Sequence, residues 1–180
     1  MLLLKNGNVM TMAGPAFVGD VAIENGKIVA VGQSLSYSDA EVRDVTGMTV
    51  MPGIVDPHCH IGMWEDAMGF EGADGNECTN PITPELRAID AINPYDRCFE
   101  EAVAGGVTTC VTGPGSANVI GGQFVAIKTY GDSVENMVLR FPVAVKAAFG
   151  ENPKRVYNGK NQTPSTRMAT AALMRKALIE

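Results

Sequence analysis

Apolar residues come in short runs over the first fifty positions, each closed by a turn signal. Residues 2–4 and 9–12 flank Asn6-Gly7, and residues 21–23 and 27–31 flank Asn25-Gly26. Asn-Gly between apolar runs is a strong hairpin signal because both residues tolerate positive φ. Residues 42–45 and 48–51 continue the pattern around Gly47. The stretch is expected to form a small antiparallel β unit, part of a β-sandwich, and it carries no catalytic constellation.

After Pro52-Gly53 the pattern changes, which puts a domain boundary there, with 1–52 on one side and 53–180 on the other. Residues 54–60 read as a buried strand, and 61–83 as a long loop rich in Gly, Asp, Glu and Asn. Thr83-Pro84-Glu85 predicts a helix start with proline in the first turn. A helix is predicted over 95–104, closed by Gly105-Gly106, followed by the β-branched strand 107–112. Gly113-Pro-Gly-Ser116 reads as a tight turn. Residues 124–129 read as a short strand, 133–139 as a helix capped by Ser133, and 142–149 as a further strand. Residues 166–179 predict an amphipathic helix that buries Met168, Ala171, Ala172 and Leu178. Strands alternating with helices predict an α/β fold with a parallel sheet. Only about three strand-helix units are visible where a (β/α)8 barrel needs about 250 residues, so the expected fold is a partial TIM barrel.

Composition narrows the function classes. The chain has 180 residues, 46% of them hydrophobic, enough for a core. A formal net charge of -6 gives no electrostatic reason to bind nucleic acid or an anionic membrane. No signal-peptide pattern and no apolar run of the roughly 20 residues that span a bilayer is present. Cys59, Cys78, Cys98 and Cys110 form no Cys-x-x-Cys pair and are expected to be reduced core fillers in a cytoplasmic protein.

The chemistry lies at the end of the first strand after Gly53. His58 and His60 are the only histidines. Two positions apart on a strand, their rings should point one way and Cys59 the other. Two neutral imidazoles side by side can hold a divalent cation such as zinc. Asp56, one step earlier on the same expected face, is a candidate to orient a histidine. Pro57 fits best if the strand ladder ends near Val55. Glu65, Asp66, Glu71, Asp74 and Glu77 read as a solvated acidic loop, and Trp64 either walls a pocket or packs.

The run Met51-Pro-Gly-Ile-Val-Asp-Pro-His-Cys-His60, after Ile23-Glu-Asn-Gly-Lys-Ile-Val-Ala-Val-Gly32, resembles the amidohydrolase superfamily, in its imidazolonepropionase-like and prolidase-like branch. The resemblance implies a (β/α)8 barrel beside a β-sandwich built from both chain ends. It also implies one or two divalent metals, zinc being the expected ion. The implied reaction is hydrolysis of amide or cyclic C–N bonds in a small-molecule substrate, by a water whose pKa the metal lowers toward about 7. His58 and His60 match the family's first-strand ligands. Lys146, in a strand candidate, is a candidate carboxylated metal ligand, against a simple lysine paired with a carboxylate. The family's later histidines and its aspartate base have no counterpart, so no catalytic residue is expected in this segment and little activity from it alone. The expected chain is a partial enzyme that associates, as a homo-oligomer or with a second polypeptide, through exposed barrel edges. The alternative is a non-catalytic binding or assembly module built on the same fold.

Overall fold

Asn25 and Gly26 have φ values of 50° and 72°, so the turn between the second and third strands is the expected hairpin. In the computed structural model, which describes residues 1–66 and 68–180, the chain divides into two compact units, 1–52 and 53–180.

The first unit is one five-stranded sheet made of β1 (Leu2–Val9), β2 (Phe17–Glu24), β3 (Lys27–Gly32), β4 (Glu41–Asp44) and β5 (Thr49–Val50). Its order is β3-β2-β1-β4, with β5 also on β1. β1, β2 and β3 pair antiparallel as expected, but β4 and β5 both run parallel to β1. The expectation of an antiparallel unit is corrected here, because residues 33–40 carry the chain back before β4 begins. Asn6-Gly7 is not a turn. It sits inside β1 as a bulge, where the register against β2 shifts between Leu4 and Gly7 and Asn6 takes φ 62°. The buried Asp20 carboxylate fixes that bulge. It accepts from Asn6 N at 2.9 Å and Leu35 N at 2.8 Å, with Lys5 Nζ 3.9 Å away.

The second unit holds β6 (Ile54–Cys59), α1 (Arg97–Ala104), β7 (Val107–Thr112), β8 (Ile120–Lys128), α2 (Val134–Met137), β9 (Val138–Ala147), α3 (Glu151–Asn158) and α4 (Arg167–Ile179). The sheet order is β6-β7-β8-β9. α1 is the crossover between β6 and β7, which pair parallel. Asp96 caps α1 by accepting from Cys98 N, and Gly105 ends it. β8 and β9 pair antiparallel, so the wholly parallel sheet expected from the sequence is corrected to a mixed one. A parallel return takes a dozen residues or more, and the connection 113–119 is too short for it. The α/β class stands, and no closed barrel is formed by the described residues.

Met63, Ile92, Phe99, Cys110, Val125, Ile127 and Met137 form the core of this unit. Ser133 caps α2 and Thr166 caps α4 as short polar residues at an N-cap do. Two local expectations fail, and one helix had no counterpart in the sequence reading. Thr83-Pro84-Glu85 starts no α-helix, only a 3-10 turn at Ala88–Asp90. The run after Gly150 forms α3, whose Pro153 is tolerated in the first turn, where amide groups lack helical partners. α4 buries only Thr170; Met168 and Leu178 are 79% and 75% exposed, because no described element covers that face. Both edges of the sheet also show apolar side chains, Ile54 and Val55 on β6 and Leu139 and Val145 on β9.

Asp20→Ala should leave two N–H groups at the bulge without an acceptor. A loss of about 2 kcal/mol is expected, since bonds to a charged group contribute roughly 1.5–3 kcal/mol. A urea unfolding curve of the variant that overlays the native curve would contradict this role.

Candidate metal centre

The end of β6 is held against the end of β7 by side chains rather than by a continuous ladder. Thr112 Oγ1 donates to Ile61 O at 3.0 Å, and His60 Nδ1 lies 2.7 Å from Gly113 O. A carbonyl oxygen only accepts, so His60 Nδ1 carries the proton and Nε2 keeps its lone pair. That is the tautomer a metal ligand needs.

His58 stands beside it, the two ring centroids 5.4 Å apart and nearly perpendicular. The buried Phe124 ring of β8 lies 5.5 Å from His58 and 6.5 Å from His60. Trp64 packs edge-to-face on His60 at 5.3 Å. Lys146, from β9, brings Nζ to 3.4 Å from His58 Nε2 and 5.9 Å from the centre of the Phe124 ring. Burial holds the Lys146 amine below its ordinary pKa. No carboxylate pairs with Lys146 among the described residues. Three residues singled out in the sequence, His58, His60 and Lys146, therefore meet at one place. Their donor set suits a divalent cation of the zinc type, with two imidazole nitrogens and one further nitrogen, while a catalytic zinc normally has three protein ligands.

Asp56 does not orient either ring. Its carboxylate accepts from His58 N at 3.1 Å and lies, with Cys59 Sγ and Cys110 Sγ, in a group whose ligand atoms are all within 4.8 Å of one another. The reason is a register shift. Asp56 pairs with Cys110 and Cys59 with Thr112, so three steps along β6 match two along β7. The extra residue reverses the alternation between Asp56 and the histidines. The orienting group is the Gly113 carbonyl instead. Gly113 had been read only as part of a turn; a Cβ there would enter the Phe124 ring, so the close approach of backbone to ring requires glycine.

The Asn118 amide ties the loop after β6 at several points. Asn118 Nδ2 donates to Glu77 O at 2.7 Å and Asn80 O at 2.8 Å, with Thr83 Oγ1 at 3.1 Å and Tyr157 of α3 at 3.5 Å. Glu77 belongs to the acidic run, and its carboxyl is held below the usual range by the Thr79 hydroxyl and N–H. The loop borders a cavity of about 1010 Å³ lined by Trp64, Phe70, Asn76, Arg87, Asn118 and Lys160 among others. Trp64 both touches His60 and faces this cavity, which joins the two readings the sequence left open. Asn118 and Phe124 had no signal in the sequence, because only tertiary pairing makes them part of the site.

No family model matches the chain. A search of curated proteins finds amidohydrolase tasK of Hapsidospora irregularis, 36% identical over 177 residues, covering 89% of this chain and 18% of that protein. D-hydantoinase of Geobacillus stearothermophilus is 46% identical over 61 residues, 34% of this chain and 13% of that protein. Among solved structures, an amidohydrolase from Thermotoga maritima superposes with a TM-score of 0.95 at 47% identity, covering 98% of this chain and 46% of that one. The chain belongs to the amidohydrolase superfamily, and it spans less than half the length of these relatives.

Gly113→Ala should force Phe124 or the strand end to move, at about 1–3 kcal/mol for such overpacking. A crystal structure of the variant with the His60–Gly113 contact unchanged would refute this. Burial pushes the Cys98 and Cys110 thiols up to about 12. At pH 8 almost none of either is thiolate, so iodoacetamide should leave both unmodified in the native protein and label them after unfolding, as read by peptide mass spectrometry.

Proposed function

We propose that this chain carries the first-strand part of the metal centre of a hydrolase acting on amide or cyclic C–N bonds. His58 and His60 are the metal ligands, and Lys146 is a third contact, either as the amine or after carboxylation. Residues 53–180 are then part of a TIM barrel and residues 1–52 part of the accompanying β-sandwich. One observation supports this above others: His60 has its Nδ1 proton committed to Gly113 O at 2.7 Å, beside a second imidazole and a lysine. The site lies at the carboxyl ends of the parallel strands β6 and β7, where α/β folds place their ligands. Three curated relatives are named D-hydantoinase, allantoinase and dihydroorotase, which favours small cyclic substrates.

A divalent cation, zinc in our reading with one or two ions in the full centre, supplies Lewis acidity toward a carbonyl oxygen and toward water. The chain's own residues do the rest of the work proposed here. Gly113 O fixes the His60 tautomer, Phe124 packs beside both rings and Trp64 against His60, and His58 stays open to solvent. The cavity beside Trp64 is the place for the substrate. No general base is assigned to this chain, and a complete reaction takes further ligands from additional polypeptide docked on the exposed edges of β6 and β9. Among the described residues, no helix is long and apolar enough to cross a membrane. The four cysteines are free, which fits a reducing, cytoplasmic setting.

Elemental analysis of the purified chain and of the His58→Ala/His60→Ala variant tests the ligand assignment. The variant is expected to hold one equivalent of zinc fewer. Trp64, the single tryptophan, should report the same event, its emission changing on zinc addition to the native chain and not to the variant. Equal zinc content in both proteins, with equal emission responses, would refute the assignment.

A further inference from the structure

β6 carries a second set of ligand-type atoms on the side away from its imidazoles. We propose that Asp56, Cys59 and Cys110 form a separate site for one thiophilic divalent cation. The three ligand atoms, a carboxylate oxygen and two sulfurs, all lie within 4.8 Å of one another. They come from two strands whose ladder fixes their spacing. The set is not a product of regular strand geometry. Positions 56 and 59 would face opposite ways on an unbroken strand, and only the extra residue between them turns both toward Cys110. Bulges of this kind re-aim side chains at functional sites.

Donor chemistry selects the ligand. Two sulfurs with one oxygen suit a borderline or soft ion such as zinc or cadmium, whereas calcium and magnesium take oxygen shells. Burial holds the Cys110 thiol protonated, which binding must overcome, while the ionisable groups beside it, Cys59, Asp56 and Cys98, carry no positive charge. Asp56 and Cys59 are half-buried and reachable, and Cys110 closes the inner side at 2% exposure. On binding, the cation replaces one proton on each thiol, two protons leave to solvent, and the two thiolates and the carboxylate face the ion. The fourth position of a tetrahedral shell is left for water.

Cadmium titration of the full chain tests this, because sulfur-to-cadmium charge transfer absorbs in the ultraviolet and nitrogen ligation does not produce it. The native chain is expected to show one equivalent of the band. His58→Ala/His60→Ala should keep it, Cys59→Ser and Cys110→Ser should each lose it, and Cys78→Ser should keep it. Asp56→Asn should keep the band but bind about tenfold more weakly. Should a cysteine variant fail to fold, protection of the native chain serves instead: cadmium should shield the half-buried Cys59, and not Cys78, from a methanethiosulfonate reagent. Absence of the band in the native chain, its survival in Cys59→Ser, or its loss in the histidine variant would overturn the proposal. The last variant also separates the two sites, since the zinc assignment to His58 and His60 can fail while this one stands.

Discussion

A single hydrogen bond organises the site end of the second unit, the one from His60 Nδ1 to the Gly113 carbonyl. With the Thr112 hydroxyl on Ile61 O, it spans the gap left where the β6–β7 ladder gives out after Cys59, so the strand end is held by side chains rather than by backbone pairs. The same bond decides which imidazole nitrogen keeps its lone pair. Structure and chemistry are therefore set together: any shift of Gly113 relative to β6 changes both the strand end and the tautomer. Phe124 packs where a Gly113 side chain would be, and this explains why the position admits no Cβ.

The bulge between Asp56 and Cys59 has an equal share in the layout. Without it, Asp56 would join the histidines, and an acid beside two imidazoles would compete for their protons. With it, β6 presents nitrogen donors on one side and sulfur and oxygen donors on the other. Pro57 lies inside this irregular stretch, where a missing N–H costs no ladder bond.

Features that depend on neighbours in sequence were legible, and features that depend on distant partners were not. The Asn25-Gly26 hairpin and the caps at Asp96, Ser133 and Thr166 follow from residues a few positions apart. The histidine pair was visible because its residues lie two apart in the sequence, and the rings do stand side by side, 5.4 Å apart. Asn6-Gly7 misled because positive φ serves a bulge as well as a turn, and only pairing with β2 decides between them. The antiparallel course of β8 was missed because the strand begins at Ile120 rather than 124, and only that earlier start leaves the connection 113–119 too short for a parallel return. The second face of α4 was misjudged because apolar spacing says which side can be buried, not whether anything lies there. Lys146, singled out for its strand setting, lies beside His58 and Phe124, and no carboxylate among the described residues pairs with it.

The Asn118 side chain has a mechanical consequence. Its amide reaches the loop at Glu77 and Asn80 while the Tyr157 hydroxyl of α3 sits at its flank. The rim of the cavity and the helix behind it are thus tied at this amide, and Lys160, just past α3, adds a second tie to Cys78 O at 2.9 Å. Side chains at and just beyond the end of α3 therefore help to set where the cavity rim lies.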